Sequence, residues 1–333
     1  RCRHRAAGGR RAGAVARDQG VAERRLRVPP CLRPGDTLGV VAPSGPPARG
    51  PLKRGLRALE RLGPFTLRLA PNLDARWGYL AGHDAERAAG IMAMVRDPGV
   101  RGIVCARGGY GAGRLLEHLD FAAIRRHPKV FVGSSDVTIL LLALLQRAGL
   151  VVFHGPMVAP DFGLLRSRRT RESVRALLLH PGRRHSFSAA GRWWGGRGPT
   201  PLRGPLTGGN LTLVAASLGT PDEIHTAGRV LFLEDVNEEP YRVDRMLWQL
   251  RAAGKLRGLR GLLYGEFHRC RPARGRPSRP LAEVLEEYAA AANVPCFGPI
   301  PAGHRRDNVV LPLGGWVTCR PEGAGRARFT LGY

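Results

Sequence analysis

The sequence predicts an α/β protein in two parts, an N-terminal domain with an open parallel sheet of the Rossmann or flavodoxin-like kind and a smaller C-terminal mixed α/β domain. Short apolar runs without polar alternation recur between helical stretches in the first half. This pattern is typical of parallel strands that are covered on both faces. The chain has 333 residues. Single hydrophobic cores stop growing below this length, so we expect two domains.

The first domain is predicted over residues 34–165. Runs of β-forming and apolar residues predict its strands at 37–41, 102–106, 130–133 and 150–153. Apolar residues at helical spacing predict helices at 52–62 and 84–96, the second one capped by Asp84. An open α/β sheet binds its ligands at the carboxyl ends of its strands, so we expect a functional site in the loops that follow them.

The rest of the chain divides into a connection and a second domain. Residues 166–203 are rich in Arg, Gly and Ser, and they are predicted to be an interdomain linker with one helix at 171–179. The C-terminal domain is predicted over 204–333. Its strands are expected at 229–233 and 261–264, and its helices at 242–253 and 281–292.

The formal net charge of +27 does not by itself indicate a nucleic-acid-binding protein. Of the 53 basic residues, 50 are Arg and three are Lys, and the Arg are scattered along the chain among Gly and Ala. A GC-rich coding sequence produces this bias, whereas a nucleic-acid interface concentrates its charge on one face. We therefore expect no specific nucleic-acid partner, and a noncatalytic or nucleic-acid-binding protein is kept as an alternative.

Residues 1–33 carry ten Arg against two acidic residues and lack the apolar core of a signal peptide. We interpret them as a basic, disordered extension or a misassigned start, with an arm for an acidic partner as the alternative. No apolar run approaches the ~20 residues of a membrane span, and the six Cys form no CxxC pair. We expect a cytoplasmic protein with no membrane partner, no metal site and no disulfide framework.

A candidate nucleophile, Ser135, stands in the segment Gly133–Asp136, where a buried strand is expected to turn into a helix starting near Val137. A hydroxyl at such a turn projects into the cleft, and the first N–H groups of the helix point at whatever binds it. The alternative is that Ser134, Ser135 or Asp136 caps the helix. The second Gly of a G-x-S-x-G elbow is missing, so an ordinary α/β-hydrolase is not indicated.

A glycine-rich loop, Arg107–Gly111, follows the strand predicted at 102–106 and should reach the same edge of the sheet as Ser135. Glycines such as Gly108 and Gly109 let the backbone approach a ligand and present N–H donors to a developing oxyanion. A tight turn is the simpler alternative, and the loop lacks the signature of a P-loop.

Acids and histidines that could complete a catalytic group lie far along the chain. Glu234 and Asp235 end a predicted strand, where a carboxylate can either orient a histidine or cap the next helix. His304 is one of ten histidines, and spacing does not select it. The residues alone therefore offer a serine, several acids and several histidines without pairing them.

Several stretches carry a family resemblance, in the same order over residues 34–320. They are 79–82 with Asp84 and Arg87, 105–111, 133–138, 154–157, 208–211, 231–235, 239–241, 244–247, and His304 with 311–314. Together they resemble the LD-carboxypeptidase family of serine peptidases, which also includes enzymes that detoxify the peptide-nucleotide antibiotic microcin C. Ser134 and Leu141 depart from the family pattern, and neither belongs to the catalytic group that the resemblance implies.

By this resemblance Ser135 is the nucleophile, His304 is the general base and then acid, and Glu234 orients His304, in a cleft between the two domains. The backbone N–H groups of Asp136 and of the loop Gly108–Gly109 would form the oxyanion hole. No metal or cofactor is required. The physical logic agrees, because a serine hydroxyl is a poor nucleophile until a base takes its proton.

The resemblance also implies a substrate and an assembly. Family members release terminal D-Ala from murein tetrapeptides in peptidoglycan recycling, work in the cytoplasm and are commonly homodimers. Arg107 is our candidate partner for the terminal carboxylate. The alternative within the family is an aminoacyl-nucleotide conjugate of the microcin C type, with Trp193 or Trp194 stacked on a nucleobase. Burial of these tryptophans as a hydrophobic plug is the other interpretation.

Overall fold

The computed structural model describes residues 25–164, 167–180, 182–323 and 325–333. The strands, in chain order, are β1 (Thr37–Val41), β2 (Thr66–Leu69), β3 (Val100–Cys105), β4 (Val130–Gly133), β5 (Val152–His154), β6 (Arg184–Ala190), β7 (Arg192–Trp194), β8 (Leu202–Asn210), β9 (Val230–Val236), β10 (Gly261–His268), β11 (Cys296–Gly298), β12 (Leu311–Leu313), β13 (Trp316–Pro321) and β14 (Arg326–Gly332). The helices are α1 (Arg49–Leu62), α2 (Asp84–Arg96), α3 (Phe121–Arg126), α4 (Thr138–Gln146), α5 (Arg168–Val174), α6 (Leu211–Ala216), α7 (Pro240–Ala252) and α8 (Leu281–Ala292).

The first sheet has the strand order β12-β5-β4-β3-β1-β2. Strands β1 to β5 pair in parallel, and only the edge strand β12 runs antiparallel to its neighbour. The central strands β3 and β4 are almost entirely buried, as expected for strands covered on both faces. The predicted N-terminal parallel sheet is thus confirmed, and its carboxyl edge carries the loops that follow β3, β4 and β5.

The second sheet has the strand order β6-β14-β13-β8-β9-β10-β11-β7. Its centre, from β8 to β11, is parallel, and the strands on either side of it pair antiparallel. Helices α6, α7 and α8 share a buried apolar cluster with β9, β10 and β11. The mixed α/β character predicted for the C-terminal half is confirmed, and β9 carries Glu234 within this buried layer.

The two sheets are joined through their cores and through their backbones. One buried cluster extends from the first sheet to residues of β8, β13 and β14. Asn210, at the end of β8, donates its N–H to Oγ1 of Thr138 at the start of α4 over 3.1 Å. A Cβ on Gly209 would lie 2.6 Å from the same threonine side chain, so glycine is needed for this close approach. This contact sets the first turn of α4 directly against the second sheet.

The segment predicted to be an interdomain linker, 166–203, is not only a connection. Apart from residues 166 and 181, which lie outside the described part, it contributes α5 and the strands β6 and β7, which lie at the two ends of the second sheet. In β6 the residues His185, Phe187 and Ala189 are buried and their neighbours are more exposed. Its Arg-, Gly- and Ser-rich composition concealed this alternation, because small residues give a weak strand signal.

Part of the predicted N-terminal extension is also folded. Residues 1–24 lie outside the described residues, but Arg27 bridges Leu150, its N–H donating to the carbonyl of Gly149 over 2.7 Å. Leu32 is buried in the main core and donates its N–H to Leu178. The folded region therefore begins before residue 34. A smaller correction concerns α2, whose N-cap residue is His83 and not Asp84.

Candidate active site

Ser135 lies directly after β4, at the turn into α4. Its φ is +59°, a left-handed conformation that is costly for a residue other than glycine and that clusters at functional sites. The carboxylate of the next residue, Asp136, does not serve as a helix cap, because its Oδ2 accepts a hydrogen bond of 2.8 Å from the N–H of Ala112. The local backbone is therefore strained to expose one hydroxyl, and Asp136 ties this turn to the loop after β3.

The glycine loop after β3 packs against Ser135. A Cβ at position 108 would lie 2.9 Å from Cβ of Ser135 and 3.1 Å from its Oγ, which is too close for any side chain without a shift of the backbone. The carbonyl of Gly108 accepts the N–H of Gly45 over 3.1 Å, and Gly109 has a φ of +118° that glycine adopts freely. The loop thus presents bare backbone beside the hydroxyl, which is the arrangement that an oxyanion hole requires.

Glu234 and His304 form a hydrogen-bonded pair. Oε2 of Glu234, which is completely buried in β9, lies 2.7 Å from Nδ1 of His304. An ionised carboxylate only accepts hydrogen bonds, so we assign the proton to Nδ1 and leave Nε2 with a free lone pair. Gly303 allows this approach, since a Cβ there would lie 2.8 Å from Oε2. The pair has the orientation of a base and its positioning carboxylate.

The pKa of His304 lies above its ordinary value. Burial lowers this pKa, but the hydrogen bond that His304 donates to Glu234 and the negative charges of Glu234, Asp161 and Asp235 outweigh the effect of burial. His154 lies on β5, where its ring packs against that of Phe232. Within the described part of the chain, no acidic partner offsets the burial of His154, and burial lowers its pKa to about 3. His154 therefore stays neutral at physiological pH, and the electrostatics distinguish His304 from this nearby histidine.

The two acids at the end of β9 have different partners. Asp235 accepts hydrogen bonds from Nδ2 of Asn210 over 3.0 Å, from the N–H and hydroxyl of Thr212 over 3.0 and 2.9 Å, and from the N–H of Val236 over 2.8 Å. These bonds hold the first turn of α6. The alternatives left open by the sequence are both realised, because Asp235 supports a helix start and Glu234 binds the histidine.

The loop that carries His304 is anchored by hydroxyl groups of α5. Oγ1 of Thr170 accepts the N–H of Asn308 over 2.9 Å, and Oγ of Ser173 accepts the N–H of Val310 over 3.1 Å. Ser167 donates its hydroxyl to Asp307 over 2.6 Å. Sequence reasoning missed this role, because Ser167 and Thr170 precede the helix predicted at 171–179 and the partners of these hydroxyl groups lie about 140 residues further along the chain.

Ser135 and His304 line one cavity of about 620 Å³. It opens between the loops after β3, β4 and β5 and the loop 303–308. The other lining residues are Arg107, Gly108, Gly109, Ser134, Met157, Pro160, Asp161, Thr170, Gly303, Arg305, Arg306 and Asn308. The structure therefore brings together the serine, the histidine with its carboxylate, the glycine loop and several arginines, in a volume that suits a peptide-sized ligand.

Two family models match this chain. One described as the LD-carboxypeptidase N-terminal domain matches residues 38–155, and one described as the LD-carboxypeptidase C-terminal domain matches residues 203–319. A probable murein peptide carboxypeptidase of Bacillus subtilis (strain 168) is 42% identical over 287 residues, which cover 86% of this chain and 89% of that protein. The chain belongs to the LD-carboxypeptidase family. The resemblance predicted from the sequence is confirmed.

Other LD-carboxypeptidase relatives match over most of their length. A murein tetrapeptide carboxypeptidase of Pseudomonas aeruginosa is 35% identical, covering 83% of this chain and 91% of that protein. The crystal structure of muramoyltetrapeptide carboxypeptidase from Oxalobacter formigenes is 32% identical with a TM-score of 0.80, covering 89% of this chain and 99% of that one. MccF in complex with glutamyl sulfamoyl guanosine also has a TM-score of 0.80, at 24% identity over 93% and 99% of the two chains. This last match shows a shared fold alone.

Asp161 is a second acid of this LD-carboxypeptidase site that sequence reasoning missed. It lines the cavity, and its Oδ2 accepts the N–H of Met157 over 2.8 Å. Burial raises the pKa of Asp161 to about 6, although the hydrogen bond from Met157 opposes the rise. Asp161 also interacts electrostatically with His304 and Glu234. Its position after β5 was the only available signal, because nothing in the local sequence separates it from an ordinary loop acid.

The two predicted substrate-binding residues have different positions. Arg107 is exposed at the cavity, where its Nη1 donates to the carbonyl of Pro46 over 3.1 Å. Trp194 is 7% exposed, packs against Tyr264, donates its indole N–H to the carbonyl of Gly298 over 3.1 Å and does not line the cavity. Trp193, which is partly buried, packs against Phe297. These positions agree with the alternative prediction that the tryptophans are packed into the hydrophobic interior. The prediction that Trp194 binds substrate is therefore corrected.

Proposed function

We propose that this protein is a serine carboxypeptidase that hydrolyses the L,D-amide bond to the terminal D-amino acid, D-Ala, of murein tetrapeptides in peptidoglycan recycling. The observation that carries this proposal is the 2.7 Å bond between Glu234 and His304 at the wall of the cavity that Ser135 also lines. Membership of the LD-carboxypeptidase family supplies the reaction class, and the names of the relatives supply the substrate.

In the proposed reaction, Oγ of Ser135 attacks the carbonyl carbon of the scissile amide while its proton moves to Nε2 of His304. The carbonyl oxygen becomes an oxyanion, which the backbone N–H groups of Asp136 and of Gly108 or Gly109 stabilise. The C–N bond then breaks, His304 gives its proton to the leaving amine, and the acyl group stays on Ser135. Water that loses a proton to His304 hydrolyses the ester and restores the serine hydroxyl.

The charge of the cavity agrees with a substrate that ends in a carboxylate. Arg107, Arg305 and Arg306 line it. Arg305 is paired with Glu266 over 3.1 Å, whereas within the described residues Arg306 has no ion pair. We therefore propose Arg107 or Arg306 as the partner of the terminal carboxylate, which an arginine fork binds well.

The proposed function is tested by D-Ala release. The purified protein is incubated with a murein tetrapeptide, and products are followed by mass spectrometry beside the Ser135→Ala variant. We expect release of one D-Ala per tetrapeptide by the parent chain and its loss in the variant, because the acyl-enzyme cannot form. A folded parent protein that leaves the tetrapeptide intact would contradict the proposed substrate.

The same assay separates the alternatives. The residue predicted to stack on the nucleobase of an aminoacyl-nucleotide conjugate, Trp194, is buried away from the cavity. Hydrolysis of such a conjugate in preference to tetrapeptide would nevertheless replace our assignment. A nucleic-acid-binding role predicts binding that falls steeply with salt and no turnover.

Two broader features are also proposed from the family resemblance, action in the cytoplasm and a homodimer. None of the helices in the described part of the chain has both the length and the apolar character needed to cross a bilayer. Sedimentation velocity tests the homodimer, for which we expect a species of twice the mass of one chain. Cell fractionation with an antibody against the chain tests the location.

A further inference from the structure

His154 is a buried polar residue that takes no part in the proposed reaction. It ends β5, and its side chain is completely buried. Among the described residues, neither ring nitrogen of His154 has a hydrogen-bond partner. A neutral imidazole carries one donor and one acceptor, and both cost free energy when they are buried unpaired. Most buried polar groups in folded proteins are paired, so this histidine needs an explanation.

His154 lies between the two sheets that hold the catalytic residues. On the first sheet, its backbone pairs with that of Gly133, which precedes the nucleophile Ser135 by two residues. On the other side, its ring packs edge to face against that of Phe232 on β9, with ring centroids 5.1 Å apart. Phe232 precedes Glu234 by two residues, and alternate residues of a strand point to the same side. His154 therefore faces the side of β9 from which Glu234 extends.

The packing around β9 agrees with this placement. The leucines on either side of Phe232 belong to the cluster under α6, α7 and α8, whereas Phe232 belongs to the cluster that extends from the first sheet. A Cβ on Gly265 would meet Cε2 of Phe232 at 2.7 Å and Cβ of Glu234 at 2.8 Å, so these two side chains are adjacent. His154 also interacts electrostatically with His304. The imidazole of His154 is thus a neighbour of the Glu234–His304 pair.

The carboxylate of Glu234 has a second oxygen that the pair does not use. Oε2 is bonded to Nδ1 of His304 over 2.7 Å. Oε1 is buried, and no hydrogen-bond partner for it lies in the described part of the chain. A buried carboxylate is stable only when its oxygens accept hydrogen bonds. A bond to Oε1 would also fix the plane of the carboxylate, and with it the ring of His304.

We propose that His154 is a positioning residue, which holds the carboxylate of Glu234 through one buried water molecule. The water accepts the N–H of His154 and donates to Oε1, which leaves Oε2 bonded to His304. Buried water molecules make about two to four hydrogen bonds and bridge polar groups that do not reach each other directly. This inference rests on the proposed catalytic group, and it does not depend on the identity of the substrate.

The charge state of His154 suits this role. Burial lowers its pKa to about 3, so the ring is neutral at physiological pH and keeps one N–H to donate. A second cation at this place would lower the pKa of His304 and oppose the transfer of the serine proton. A neutral imidazole supplies the hydrogen bond without that effect.

The test replaces His154 by phenylalanine, which keeps a ring of similar size and removes both nitrogens. We expect kcat for D-Ala release to fall by about 10- to 100-fold, the usual effect of losing an outer hydrogen-bond partner of this kind. KM should stay unchanged, because His154 does not line the cavity. The midpoint of urea unfolding should stay close to that of the parent, because a buried imidazole gives way to an apolar ring of similar shape.

Conservative variants and a matched control separate positioning from packing. His154→Asn and His154→Gln return an amide donor to this place, and at least one of them should recover most of the kcat lost in His154→Phe. His185→Phe is the control. His185 is a buried histidine of β6 whose Nε2 has no partner among the described residues, and its ring interacts electrostatically with Glu172 and Arg169. This variant should keep the kcat of the parent.

Two further measurements complete the test. A crystal structure of the parent should show a water molecule within hydrogen-bond distance of Oε1 of Glu234 and of a ring nitrogen of His154, and a structure without it overturns the bridge. The rate of fluorophosphonate labelling of Ser135 should fall in His154→Phe by a factor similar to that of kcat. Parental kcat and labelling rate in His154→Phe, or equal losses in His185→Phe, overturn the positioning role. A parent chain that is labelled but leaves the tetrapeptide intact contradicts the proposed substrate, and the labelling rates still test His154.

Discussion

Ser135 and His304 line the same cavity, but Ser135 is held by the first sheet and His304 by Glu234 of the second, and the two sheets hold these residues in different ways. On the first sheet the position of the serine depends on backbone geometry, with a φ of +59° at Ser135 and a glycine at position 108 that leaves no room for a Cβ. On the second sheet the histidine depends on a buried charge, because Glu234 is fully enclosed and raises the pKa of His304.

This difference predicts two kinds of sensitivity. Around Ser135, we expect catalytic activity to fall when a substitution adds volume. Such substitutions should leave the pH dependence of activity unchanged. Around His304, substitutions that keep the shape of a side chain should leave the packing intact. Substitutions that remove a negative charge should lower the pKa of His304. Substitutions that change one property at a time can separate the two.

The largest effect is expected for Glu234→Gln. The amide keeps the shape of the side chain but removes the charge and can hold the wrong tautomer of His304, so we expect a fall in kcat of about 10,000-fold. The loss of charge also lowers the pKa of His304. Because His304 must be neutral to accept the serine proton, the acid limb of the pH–kcat/KM profile should move to lower pH.

Asp235→Asn is the matched control for this prediction. It changes the neighbouring carboxylate on the same strand, which bonds to Asn210 and Thr212 and acts on His304 through its charge alone, without a hydrogen bond. We expect a loss of about 1–3 kcal/mol in the free energy of unfolding and little change in kcat. Equal losses of kcat in the two variants would show that Glu234 acts through stability alone.

A smaller effect is expected for Gly108→Ala. The added Cβ would lie 2.9 Å from that of Ser135, so the loop must shift and withdraw its N–H donors from the oxyanion. We expect kcat to fall by about 100- to 1,000-fold without any shift of the pH profile. Gly113→Ala is the control, because its Cβ would meet Ile139 at an ordinary 3.6 Å. Full activity of Gly108→Ala would contradict a steric requirement for glycine there.

The smallest effect is expected for Asp161→Asn. The negative charge of Asp161 raises the pKa of His304, so its removal should shift the acid limb to lower pH by less than about one unit. Because the pKa of Asp161 is itself about 6, the difference between variant and parent should be seen above this pH and vanish below it. A pH titration of kcat/KM measures the shift, and a profile displaced to higher pH would contradict the sign.

The fold was predictable where burial made the sequence pattern simple. Strands such as Val130–Gly133 are buried on both faces and read as continuous apolar runs, and α8 matched its predicted bounds. The edge strand Thr66–Leu69 was missed because it is short and mostly exposed. The alternation in Arg184–Ala190 was missed because Ser and Ala carry little hydrophobic signal.

Only part of the site could be predicted, because some of its residues lie far apart in the sequence. Ser135 and Gly108 follow neighbouring parallel strands, so their approach follows from the topology of one sheet. Glu234 lies on the second sheet, and His304 lies 70 residues further along in a loop between the two sheets, so only the family resemblance paired them. Asp161 and the anchoring hydroxyl groups of Thr170 and Ser173 had no local signature of function, since their roles arise from tertiary contacts.

We infer that His304, oriented by Glu234, activates Ser135 as a nucleophile. Labelling with a fluorophosphonate, followed by intact-mass and peptide mass spectrometry, tests it most directly. We predict one adduct per chain, located on Ser135, forming at a rate that rises with pH through the raised pKa of His304 and that falls sharply in His304→Ala. An adduct on another residue, or an unchanged labelling rate in His304→Ala, would show that His304 does not activate Ser135.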